Sequence, residues 1–302
     1  YYPSRKQRRA KGARRGGFYP SLVSSTSMYT FPFFASLALC LSVCTASLQA
    51  QQTEFGILAG VNSYYGDLNP RYDVRTPGGG MNLLLRRNYD GRICIKGTVG
   101  YAYLWGDDAR SKEEYFRARN LSFHSHTFHG SLQVEFNFQP FHAANNSGVK
   151  EKDASPYLST GLAVEFFNPR AVLLGGTYNL REMGTEGQPL GSEYKTVAPA
   201  WLLGGGVKVN LSRNWSLNAE LMGHLLFTDY LDDVSGTYAD FRVIEGHHGT
   251  AAARLADRSL EVGDSPFGAA GRQRGDKRDK DAYLSLHVGL VYRFLQLSCP
   301  AY

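Results

Sequence analysis

The residues of this chain that could do chemistry are its histidines and a scatter of aspartates. His124, His126 and His129 sit at metal-ligand spacing, but in an alternating strand 124 and 126 share one face and 129 takes the other, which argues against three-point ligation. His247–His248 lies in a Gly-flanked stretch with no thiol or carboxylate at a recognisable spacing. Asp229, Asp232 and Asp233 in TDYLDDVSG lack the ligand spacing of a calcium loop and read as a solvated acidic loop. Arg274–Gly275–Asp276 forms an adhesion-type tripeptide inside RQRGDKRDKD, where the charge density marks a mobile loop. His247 with Asp232 is a pair from which a hydrolytic site could be drawn, yet no G-x-S-x-G elbow, Walker loop or Cys–His spacing accompanies it. The expectation is a non-enzyme, with no catalytic residue, metal or cofactor.

The elements that must position any site are strands. Residues 51–302 hold eight stretches with apolar residues at every second position, near 53–62, 77–86, 91–105, 121–138, 155–167, 199–211, 215–228 and 282–294. In the last of these, Leu284, Leu286, Val288, Leu290, Tyr292 and Phe294 share a face opposite Ser285, His287, Gly289 and Arg293. No convincing amphipathic helix is present. Glu54, Lys96, Glu135, Glu165, Lys208, Glu220 and Arg293 fall mid-strand on the less apolar face, with both signs represented. In an eight-stranded barrel such groups can neutralise one another across a lumen just wide enough for side chains. Tyr, Trp and Phe near strand ends fit the aromatic girdles of a membrane barrel. A secreted soluble sandwich is the competing reading.

Composition and export signals agree with a membrane barrel. Seven of the 33 basic residues lie in 1–50 with no acidic residue, so the remainder carries 26 basic against 27 acidic groups, too little positive charge to track nucleic acid. A mean hydropathy of −0.32 excludes a bundle of membrane helices. Residues 1–27, before Met28, read as an upstream leader outside the mature protein, and 28–50 as a secretory signal peptide cleaved after Ala50. Leu39 and Val43 before Cys40 and Cys44 argue against lipidation. Residues 51–302 are then an all-β domain, an eight-stranded antiparallel transmembrane barrel in the outer membrane.

Long connections at about 63–76, 106–120, 168–198 and 229–281 alternate with tight ones at Arg87–Asp90 and Ser212–Asn214 and an intermediate one at 139–154. Short periplasmic turns and longer extracellular loops follow, with both termini periplasmic. Arg87, Asn88, Tyr89 and Asp90, the charged tip Lys150, Glu151, Lys152 and Asp153, and Cys299 are then candidates for docking a periplasmic partner. Cys94 and Cys299 both lie toward the oxidising side, where a bridge would pin the C-terminal tail across the barrel mouth. Cys94 as a lumen filler and Cys299 as a free thiol is the alternative.

Four segments carry a resemblance: GVNSYYGDLNP at 60–70, PYLSTGLAVEFFNPRA at 156–171, WSLNAELMGHLLFTDYLDDVSGTYADF at 215–241 and RGDKRDKDAYLSLHVGLVYRF at 274–294. They resemble the PorG family of outer-membrane barrels. That resemblance implies a non-enzymatic component of the type IX secretion system, tying periplasmic ring proteins, a PorK-like lipoprotein and a PorN-like protein, to outer-membrane lipid. The 229–281 loop, long and basic at its end, departs from the family. The alternative is an OmpX-like barrel acting through its external loops as an adhesin or envelope stabiliser.

Overall fold

The computed structural model describes residues 52–70, 77–141, 154–276 and 279–294. Residues 1–50, where the leader and signal peptide are expected, and Lys150, Glu151, Lys152, Asp153 and Cys299 lie outside the described residues.

Eight long strands, β1 (Gln52–Tyr65), β2 (Pro77–Asn88), β3 (Ile93–Asp107), β4 (Ser122–Asn137), β5 (Ala154–Phe166), β8 (Val197–Asn210), β9 (Trp215–Leu226) and β10 (Ala282–Phe294), pair antiparallel with their neighbours. A short hairpin, β6 (Pro169–Leu173) and β7 (Gly176–Asn179), extends from the loop after β5. The ladder closes because β1 pairs with β10 along its length, from Thr53↔Phe294 to Tyr65↔Ala282. The protein is an eight-stranded antiparallel transmembrane β-barrel.

Burial alternates along every long strand, and it runs opposite to that of a soluble protein. The apolar face points out: Val99, Leu132 and Leu162 are 66%, 64% and 64% exposed. Strands of 12–16 residues are long enough to carry such a band across hydrocarbon. Aromatic pairs rim the band. At one edge, Trp215–Tyr292 and Tyr292–Phe294 ring centroids are each 5.1 Å apart, and at the other Tyr101 lies 5.3 Å from Phe128 and stacks on His126. His124 and His126 thus face outward at the rim. Among the described residues no helix is long and apolar enough to cross a membrane.

The two ends of the barrel differ. At the turn end, the Asp90 carboxylate accepts from the backbone N–H of Arg92 and Ile93 (2.7 and 2.6 Å), which closes the β2–β3 turn. The loop end corrects the expectation of a helix-free chain. It carries α1 (Glu114–Arg119), α2 (Leu180–Met183), α3 (Phe241–His248) and α4 (Thr250–Ala256). Asp240 caps α3 through the Arg242 N–H (2.8 Å), and Ile244 packs on Ala252, Ala253 and Ala256. These helices are too short to produce a readable period.

Candidate functional site

The lumen is filled by polar side chains in two layers beneath a cap of loops. In the layer at the turn end, Glu54 receives Arg86 (2.9 Å), Arg293 (3.0 Å) and the Asn88 amide (3.1 Å). Glu135 is met by Arg86 (2.7 Å), Lys208 (2.7 Å) and Lys96 (3.1 Å), and Lys96 also pairs with Glu220. The Tyr157 hydroxyl donates to Glu220 (2.6 Å), and its ring lies 4.6 Å from the Lys208 ammonium. Below them Phe141 sits 5.1 Å under the Arg293 guanidinium and closes the mouth. A cluster with this many buried partners holds itself together by mutual compensation, because each charge has lost its hydration and only its neighbours offset that loss.

Cys94 belongs to the same layer. It is a buried thiol that accepts from the Asn137 amide (3.3 Å), while Cys299, its partner in the bridge weighed from the sequence, lies outside the described residues. Packed among Lys208, Asn137 and Glu135, it faces the lumen interior and fills space there. Asn88 likewise points inward, while Tyr89 and Asp90 are exposed at the turn and Arg87 is half-buried.

The layer nearer the loops joins strands β4, β5, β9 and β10. Glu165 accepts from the Tyr283 hydroxyl (3.0 Å) and lies 2.8 Å from His224 Nδ1 and 4.0 Å from His129 Nδ1. The His224 ring stacks on Tyr283 at 4.0 Å.

Above this layer the loops form a buried polar cap. Asp108 holds Arg119 through both oxygens (2.7 and 2.9 Å), and Arg119 donates onward to the carbonyls of Arg274 and Asp67. Arg274 donates to the Asp233 carbonyl (2.5 Å) and lies 3.3 Å from Glu186. The single Tyr64 hydroxyl reaches both Asp232 (2.6 Å) and Asp281 (3.0 Å). Burial, reinforced by the neighbouring carboxylates, raises both aspartates well above the ordinary range. Burial also lifts Asp229 to about 7 and Asp67 to about 6.

Two sequence expectations are corrected here. Asp229, Asp232 and Asp233 are buried, not solvated, because the loops after β1, β5 and β9 fold over one another. Arg274 is buried in the cap as well, so the Arg–Gly–Asp tripeptide is not presented as a mobile charged loop. His247 is exposed on α3 and makes no hydrogen bond to Asp232, whose carboxylate is committed to Tyr64 and the Val234 N–H. His248 instead ties the carbonyls of Glu182 and Gln188. Residues from three of the four resembling segments, Tyr64, Asp232 with Asp233, and Arg274 with Asp281, meet in this cap.

The family model described as Domain of unknown function (DUF6089) matches residues 33–247, a span that contains β1 to β9. The chain belongs to this family. No curated protein sequence matches it. Solved structures similar to this DUF6089 chain are small outer-membrane barrels. The N-terminal β-barrel domain of Pseudomonas aeruginosa OprF is 11% identical, with 81% of this chain and 100% of that chain covered and a TM-score of 0.35. Ail, the attachment invasion locus protein of Yersinia pestis, is 11% identical over 81% and 97%, with a TM-score of 0.37. A major outer membrane protein from Thermus thermophilus is 15% identical over 82% and 100%, with a TM-score of 0.38.

Sequence reasoning missed Arg86, which alone among the described residues touches both Glu54 and Glu135. The run Leu83–Leu84–Leu85 masks the alternation there, although Arg86 stands two residues from Leu84 and Asn88 on the inward face. Phe141 lies in a connection whose composition reads as a solvated turn. The grouping of His129, Glu165 and His224 needs the strand register, which no local pattern carries.

Proposed function

We propose that this DUF6089 barrel lies in the outer membrane as a non-conducting, non-enzymatic anchor. In this reading its turn end faces the periplasm and engages secretion machinery of the type IX class. The observation that carries the reading is the lumen: four buried cations and four buried carboxylates, closed below by Phe141 and above by the loop cap, offer no path for a solute. A sealed barrel acts through its ends. The exposed Tyr89 and Asp90, with half-buried Arg87, are the described part of the face for PorK-like and PorN-like ring proteins, and outer-membrane lipid is the other partner. The system assignment rests on the motif resemblance.

The loop end supports a second reading, an adhesin or envelope stabiliser. Its ordered cap exposes Leu174 (86%), Leu260 (61%) and Val262 (59%), apolar groups well outside the lipid band. Affinity purification of the tagged barrel from solubilised outer membranes separates the two. Co-purification of a ring lipoprotein at a fixed ratio is expected, and its absence, with binding retained at the loop end, would favour the second.

A further inference from the structure

Glu165 is fully buried, and among the described residues no Lys or Arg lies within ion-pair distance of it. The other three lumen carboxylates each have at least one such cation. The partners of Glu165 are the Tyr283 hydroxyl and imidazole nitrogens, none a permanent cation, and a carboxylate buried in that way is compensated by a cation or by a metal. What surrounds Glu165 is a set of metal-ligand types: ligand atoms of His129, Glu165 and His224 all lie within 4.8 Å of one another. They come from three different strands, so their convergence is a product of the barrel and not of local sequence.

The room for these rings is made by glycine. A Cβ built at Gly100 would lie 2.6 Å from His129 Nε2, and one at Gly60 would lie 2.8 Å from the His287 ring. His287, also buried, has neither ring nitrogen bonded to any described residue and interacts electrostatically with His129 and His224. The layer therefore contains more nitrogen donors than its own hydrogen bonds use. Tyr283, donating to Glu165, supplies the outer contact that orients a ligating carboxylate.

We propose that His129, His224 and Glu165 form a binding site for a divalent transition ion of the zinc class, with Nδ1 of each imidazole and one carboxylate oxygen as ligands. Two imidazoles with one carboxylate is a donor set suited to zinc, with ligand bonds of about 2.0–2.2 Å. Ligation requires the His129 ring, whose Nδ1 is 4.0 Å from Glu165, to turn inward and the 2.8 Å contact between His224 and Glu165 to open around the ion. The ion neutralises Glu165 and cross-links β4, β5 and β9 through the lumen. This inference does not depend on the anchoring role.

The test uses the full-length mature barrel, tag-free, refolded into detergent with zinc chloride and passed through a weak chelating resin. Elemental analysis should find one zinc per folded chain. Cobalt substitution should give the visible absorption of a low-coordinate nitrogen–oxygen site. His129→Ala, His224→Ala and Glu165→Gln should each weaken retention by at least ~10-fold. Folding of each variant is checked by its unheated gel mobility, and His124→Ala at the lipid rim should retain the ion fully. Metal below one-tenth equivalent in folded wild-type protein would overturn the proposal, as would equal retention by the folded triple variant. If the single variants fail to fold, the cobalt spectrum of the wild-type protein still decides, since a purely octahedral, surface-type spectrum contradicts the site.

Discussion

Glu135 occupies the centre of the turn-end layer because three cations, Arg86, Lys96 and Lys208, converge on its two oxygens. Replacing it by alanine strands those charges in a water-excluded lumen, and we expect a loss of about 3–5 kcal/mol, measured by urea unfolding of the refolded barrel. Removing a whole pair is different. Lys96→Met combined with Glu220→Gln should cost less than Glu220→Gln alone, a non-additivity that a double-mutant cycle reads directly. Additive costs would show that the two groups do not pair. Lys96, Glu135, Lys208, Glu220 and Arg293 stand out in the sequence because a charge at the centre of a period-two apolar strand has only the inward face to occupy. Arg86, inside a leucine run, has no such contrast, and the partner of each charge depends on barrel register.

Between elements, the same alternation makes a sharp contrast at adjacent positions of β10: Leu286 is 50% exposed to the hydrocarbon side and Ser285 is buried in the lumen. Leu286→Arg should cost ~2–4 kcal/mol and lower the amount of assembled barrel in membrane fractions, with no comparable loss for Leu286→Phe. If arginine is accepted there without cost, the band has been assigned to the wrong face. The loops obey a different physics. Burial raises Asp229 to about 7 and Asp67 to about 6, against the nearby cations Arg119, Arg274 and Lys280, and the Asp232–Asp281 pair is raised as well. A carboxyl whose folded pKa is raised binds protons better when folded. Its contribution is therefore complete below the ordinary aspartate range and is lost as pH rises through the folded value. The cap should resist limited proteolysis best at about pH 4 and open progressively as pH rises to about 7, with little further change above that, while Asp229→Asn flattens that dependence. A pH-independent cleavage rate would contradict it. Strand positions could be read to within a few residues because period two is a local signal. The cap could not, since Asp232, Asp233 and Arg274 are buried by segments distant in the chain.

For the molecule as a whole, a lumen packed with side chains should leave planar bilayers electrically silent. Stable large openings from purified protein would refute the sealed barrel and favour transport. The seam that closes it has a further consequence in time. Thr53 pairs with Phe294, and Glu54 with Arg293, so the first strand waits for the last. Every other barrel junction joins strands consecutive around the meander, whereas this one must bring together ends separated by the entire domain, the least favourable loop to close. Until it forms, β1 and β10 present bare edges ready to pair with any strand they meet. Closure is thus expected to be the slow, all-or-none step of folding. A chain cut short of Ala282 would yield an open, adhesive sheet destined for degradation, and not a smaller barrel.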